Sequence, residues 1–217
     1  MINKLIVGRY LDMPKFDNKP LPPTAAMKSR EGDWVEHFVE VDGRNYMITE
    51  SEGSGFLGTT RTSEVVAAET PHQKEHRNFR WLPWIPGKVS YVPIAGTDVL
   101  SGPFTGCWSV VFKLGSETYF GHIGTEQDKA HKNTVQVKKA WADAIASGVV
   151  VPLRACNPAS DDVIGSSFGG VPTIYSACSP SGEISVMVTE KDPKITESNE
   201  KIAKLVKAPI SERPDFG

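Results

Sequence analysis

The amino-acid sequence predicts a single α+β domain over residues 1–217, layered from mainly antiparallel strands around one central helix. Three observations carry this. Short runs of alternating apolar and polar residues recur along the chain. Clusters rich in glycine, proline and serine separate them. Helical spacing is sustained over only one long internal stretch. With 217 residues, 39% of them hydrophobic, the chain can bury a sizeable core. No repeat or low-complexity tract interrupts it.

The opening reads as a short apolar strand, followed by an extended loop from Pro14 to Pro23, where proline fixes φ and removes donors. Glu36–Val41 and Arg44–Thr49 flank Asp42-Gly43, a strong hairpin signal that predicts their pairing. Thr70 to Gly87, with its prolines and Trp81 and Trp84, reads as a loop with packed tryptophans. Lys88–Val92 follows as a strand, and Ala95–Thr105 as a loop delivering the chain to Gly106-Cys107. Thr125 to Asp128 resembles a capping box, and Val137, Trp141, Ala144 and Ile145 recur at helical spacing until Gly148. Val149–Ala155 reads as a strand. Thr173–Ala177 and Glu183–Thr189 form a hairpin around Ser179–Gly182, and Ser198–Lys207 reads as a terminal helix.

Several function classes are disfavoured. The formal charge of −2, from 24 basic and 26 acidic side chains, gives no global attraction to nucleic acid or to an anionic membrane. No apolar run approaches the roughly 20 residues that span a bilayer, and Met1–Val7 is too short for a secretory core. A cytoplasmic protein without a signal peptide is expected, and a monomer. Cys107, Cys156 and Cys178 are widely spaced, which suits neither a disulfide framework nor a zinc cluster. Gly53–Gly58 matches GxGxxG, but it follows an antiparallel strand and no long helix opens after it, so an ordinary glycine loop is the better reading. His72 and His76 lack the further ligands a metal needs, and the short basic, aromatic segment around them is not a phosphate-tracking groove. No cofactor or metal is expected.

The concentrated chemical signal is Thr105-Gly106-Cys107-Trp108 leading into a strand, a Gly115-Ser116 turn, and Gly121-His122-Ile123 on the returning strand. If Gly115 and Ser116 form the loop, Leu114 faces Glu117 and His122 lies opposite Ser109. Cys107, Ser109, Val111, Phe120 and His122 then share one face, while Trp108, Val110, Phe112, Tyr119 and Ile123 share the other as core. Cys107 and His122 become diagonal neighbours within side-chain reach. A four-residue loop centred on Leu114-Gly115 would set the same two residues directly opposite each other, so both registers bring them together. A thiol beside a base that can draw off its proton is the requirement for nucleophilic catalysis. Gly106 leaves the backbone N–H groups at 106 and 107 open as oxyanion donors. Cys156 and Cys178 have no base at useful spacing and are assigned to core strands.

A Gly-Cys entering a strand, with a histidine fifteen residues later on the partner strand, resembles the catalytic domains of the cytotoxic necrotizing factors and Burkholderia lethal factor. It resembles the bacterial chemoreceptor glutamine deamidase more distantly. The likeness covers roughly Leu100 to Thr125, with Phe104-Thr105-Gly106-Cys107 standing where that superfamily has a Leu-Ser-Gly-Cys-like motif. It implies a β-sandwich flanked by helices, Cys107 as nucleophile, and His122 oriented by a main-chain carbonyl or by a hydroxyl from among Thr97, Ser101 and Thr105. It further implies deamidation of a glutamine side chain on a target protein, by a bacterial toxin or effector delivered into a host cell. Two other classes stay open: another cysteine hydrolase, such as a peptidase or acyl-transfer enzyme, and a non-catalytic interaction module. A buried, high-pKa Cys107 would favour the last.

Overall fold

The structure, a computed structural model, describes residues 2–12, 31–43, 45–55, 58–67, 78–165, 168, 171–191 and 199–216. The fold is mixed α+β and dominated by sheet. In chain order the first strands are β1 (Tyr10–Asp12), β2 (Phe38–Glu40), β3 (Asn45–Gly55), β4 (Gly58–Ala67), β5 (Asn78–Pro83), β6 (Val89–Pro93) and β7 (Asp98–Gly102). The hairpin β8 (Trp108–Leu114) and β9 (Glu117–Ile123) follows, then helix α1 (Lys132–Ala146) and β10 (Val150–Cys156). A short helix α2 (Asp161–Ile164) precedes β11 (Pro172–Cys178), β12 (Ile184–Lys191) and β13 (Asn199–Lys207).

Two mixed, mainly antiparallel sheets result. One closes into a barrel in the order β1-β13-β12-β11-β7-β5-β3-β4, and the other is a five-stranded sheet ordered β10-β8-β9-β6-β2. Three apolar clusters follow from this layering. Leu11, Tyr46, Phe79, Trp81, Leu100 and Met187 fill the barrel. Val99, Ile174, Cys178, Val186, Val111 and Phe120 fill the layer between barrel and sheet. Phe38, Tyr91, Val110, Phe112, Ile123 and Trp141 pack the outer face of the sheet against α1. Strand alternation divides β7 in this way, sending Leu100 inward and Val99 toward the sheet.

The predicted faces of the β8–β9 hairpin are those observed, because the two-residue loop at Gly115, whose φ is +66°, fixes the register at Leu114↔Glu117 and Ser109↔His122. The β11–β12 hairpin and the buried stripe Val137, Trp141, Ala144 of α1 also match. Gly53–Gly58 is a hairpin junction, Gly55 pairing with Gly58, with no helix behind it.

Other expectations need correction. The opening forms a 3-10 turn at Ile2–Lys4, and its strand is Tyr10–Asp12. Asp42-Gly43 turns the chain but does not make a hairpin: β2 pairs parallel with β6, whereas β3 joins the barrel. Burial of Phe38 among Trp34, Tyr91, Phe112 and Trp141 outweighs the local pairing preference. Two predicted loops contain central strands. Asn78–Pro83 is β5, with Trp81 inside the barrel, and Asp98–Gly102 is β7. Helix α1 starts at Lys132, capped by His131, because Thr125 is buried beside Cys107 instead of opening a helix.

Ser198–Lys207 is not a helix; from Asn199 it is strand β13. Thr189 pairs with Ile202 and Val188 with Lys204, so Ala203 is an extra, bulged residue. The bulge places Ile202 and Leu205, three apart, on the same interior face, which imitates helical spacing. The Pro14–Pro23 loop and the His72/His76 pair lie outside the described residues. Among the described residues, no helix is long and apolar enough to cross a membrane.

Candidate functional site

The site is built where the five-stranded sheet faces the barrel. His122, in β9, is fully buried and points to this layer, where its Nδ1 lies 2.8 Å from Ser101 Oγ on the barrel strand β7. Ser101 Oγ in turn lies 2.7 Å from the Leu82 carbonyl on β5. A carbonyl can only accept, so the single hydroxyl proton of Ser101 is donated to Leu82. Ser101 Oγ must then accept from Nδ1–H, which fixes His122 as the Nδ1–H tautomer and leaves the Nε2 lone pair free to take a proton. Among the described residues, Nε2 has no hydrogen-bond partner. The Phe104 ring stacks on the imidazole at 4.0 Å and fixes its plane.

Burial lowers the His122 pKa to about 3, so the ring is neutral at physiological pH. Ser109 Oγ and Ser176 Oγ are likewise buried without partners among the described residues. The registers set Ser109 and Ser90 opposite His122, and Ser176 opposite Ser101. A polar seam thus runs through an otherwise apolar layer.

Cys107 precedes β8 and is 2% exposed. Its thiol donates to the Thr125 carbonyl at 3.3 Å and receives the Thr125 hydroxyl at 3.6 Å. Burial pushes the thiol pKa up, against opposing contributions from Thr125, the Thr105 backbone and Trp84. Cys107 and His122 therefore belong to one layer of the fold without being hydrogen-bonded to each other, and the resting pair is thiol and neutral imidazole. Desolvation disfavours a resting thiolate–imidazolium pair, because burial raises the thiol and lowers the imidazole.

A cavity of about 260 Å³ adjoins the cysteine, lined by Thr105, Gly106, Trp108, Thr125, Glu126 and Lys138 among others. A Cβ added at Gly106 would meet nothing within 4 Å, so the backbone there is open to a ligand. The close approach is at Gly124, where a Cβ would lie 2.2 Å from the Ile85 carbonyl. Gly124 donates to Lys88 and accepts from Gly87, and so seats Thr125 beside the thiol.

Of the predicted residues, Ser101 meets His122, while Thr105 and Gly106 line the cavity. Thr97 sits in the turn before β7 and has no hydrogen bond to either member of the pair. Sequence reasoning missed Thr125 and Phe104 as partners. The register held the signal for Thr125, which follows the residue opposite Cys107. Cys156 and Cys178 are buried core thiols, and burial pushes Cys156 to about 12 and Cys178 up as well. Among the described residues, no group of three or more His, Cys, Asp or Glu is placed to hold a metal ion. Compared with known protein families and with curated proteins, the chain matches none.

Proposed function

We propose that the protein is a cysteine amidohydrolase that deamidates a glutamine side chain on a target protein, with Cys107 as nucleophile and His122 as its base. One observation carries the reading. A histidine held through Nδ1 by Ser101, with Nε2 buried and unpartnered, costs stability and contributes nothing to an inert core. It is, however, the arrangement that a general base requires. The resemblance of Phe104–Cys107 and His122 to the necrotizing-factor superfamily gives the substrate class and the effector biology.

In this mechanism the Cys107 side chain turns from the Thr125 carbonyl toward Nε2, and the proton passes to His122 as sulfur attacks the carboxamide carbon. Backbone N–H groups at 106 and 107 hold the oxyanion. The C–N bond breaks, the imidazolium returns its proton to the departing ammonia, and a thioester remains. Water adds to the thioester with His122 as base, the C–S bond breaks, and glutamate and the Cys107 thiol are released. An amine in place of water gives transglutamination.

A second reading also has an observation behind it. At 2% exposure, with its pKa raised by burial, Cys107 has the properties of a structural thiol, as in a non-catalytic interaction module. The deciding experiment is ammonia release from bacterial and host-cell protein extracts, with modified glutamines located by mass spectrometry. Activity lost in both Cys107→Ser and His122→Gln, with circular dichroism unchanged, supports the amidohydrolase. Absence of ammonia release and of any acyl-enzyme on Cys107 leaves the interaction module.

A further inference from the structure

We infer that the β10 edge and the cavity lined by Trp108, Thr125 and Lys138 together form a docking site for an extended peptide bearing an aromatic residue, and that segment 209–216 of this chain occupies it as an internal ligand. The proposal deepens the reading of Cys107 as nucleophile and rests on that reading only for its consequence in catalysis.

β10 is the outer strand of the five-stranded sheet, paired with β8 on one side. On its other side it makes one antiparallel bridge, in which Ala155 N–H donates to the Ser211 carbonyl at 2.7 Å and Ser211 N–H to the Ala155 carbonyl at 3.0 Å. That is the geometry of an added strand. Five residues on, Phe216 stands edge-to-face on Trp108 at 6.2 Å. Lys138 Nζ lies 5.3 Å from the centre of its ring and donates to its carbonyl at 3.1 Å. Asp215 and Phe216 line the same cavity as Thr105, Gly106 and Thr125, the residues around Cys107. Main-chain pairing at an edge together with an aromatic anchor in a pocket is how extended peptides are recognised.

The hold is light. Ser211, Glu212, Arg213 and Asp215 are exposed. The neighbouring apolar side chains Val151, Leu153 and Ile210 are also open, at 49%, 38% and 55% exposure. A tethered segment competes through its effective concentration rather than through many contacts. A target segment supplying the same strand and anchor would replace it and reach the cavity beside Cys107.

The test uses the full chain and a fluorescein-labelled peptide of the sequence 209–216, followed by fluorescence anisotropy. The protein is compared as wild type, as Phe216→Ala, and as Phe216→Ala with Ser211→Pro, which removes the bridging N–H. Loosening the strap should tighten peptide binding by about tenfold or more. Binding should be lost when the peptide's phenylalanine is replaced by alanine, and the loosened variants should alkylate faster at Cys107 with iodoacetamide while Cys156 and Cys178 stay protected. Neither readout needs turnover, so peptide binding together with no ammonia release from the protein extracts retires the deamidase and keeps the docking site. Binding no tighter in either folded variant than in wild type, or binding indifferent to the phenylalanine, overturns the proposal.

Discussion

At His122 one hydroxyl decides the chemistry. Ser101 accepts from Nδ1 and passes its own proton to Leu82, so removing it leaves a buried N–H without a partner and the tautomer unfixed. Ser101→Ala is expected to cost about 1–3 kcal/mol of stability. If His122 is the base, it should also lower kcat about tenfold or more with little change in KM, because the ring acts in the transition state. Ser101→Thr, which keeps the hydroxyl, should restore part of the rate. Urea unfolding and steady-state ammonia release measure the two effects separately. Equal rates in wild type and Ser101→Ala would leave His122 a buried structural residue.

The β8–β9 hairpin with its entry and exit is the element that presents the candidate site, and the glycines at its two ends make opposite predictions. At Gly124 an added methyl meets the Ile85 carbonyl at 2.2 Å, and backbone on both sides must shift. Gly124→Ala should therefore destabilise by about 1–3 kcal/mol or more, read as a lower urea midpoint. Gly106→Ala meets nothing within 4 Å. It should leave stability within about 1 kcal/mol of wild type and, if Cys107 is the nucleophile, lower kcat/KM by narrowing the approach to it. Unchanged kcat/KM in Gly106→Ala would move the approach elsewhere.

For the whole molecule, the layer between sheet and barrel makes stability depend on pH. Burial takes His122 from its ordinary 6.5 to about 3 in the folded state. The unfolded chain therefore binds a proton that the folded chain refuses, and the stability is full above pH 6.5 and falls as pH drops toward about 3. The loss due to this group is about 1.4 kcal/mol per pH unit in that window. His122→Gln removes it, so the wild-type urea-unfolding free energy should fall relative to the variant's on acidification, the carboxylates being common to both. Parallel curves would contradict His122's neutral burial. The same layer shields Cys156 and Cys178, at 1% and 0% exposure, so their alkylation should follow global unfolding.

The sequence by itself determined the local structure around the site: the turn at Gly115, the two faces of the hairpin, which both of its possible registers share, and the buried stripe of α1. These follow from period and turn chemistry, which act over a few residues. It could name Ser101 only as one of three hydroxyls, because Ser101 reaches His122 from the other sheet. Only the tertiary structure decided that pairing. It also decided that β2 leaves its expected partner for β6, that β13 is a bulged strand and not a helix, and that Cys107 rests on Thr125 with its pKa raised. In each case the outcome depends on which surfaces bury one another across the chain, and desolvation and long-range pairing leave no periodic mark in the sequence.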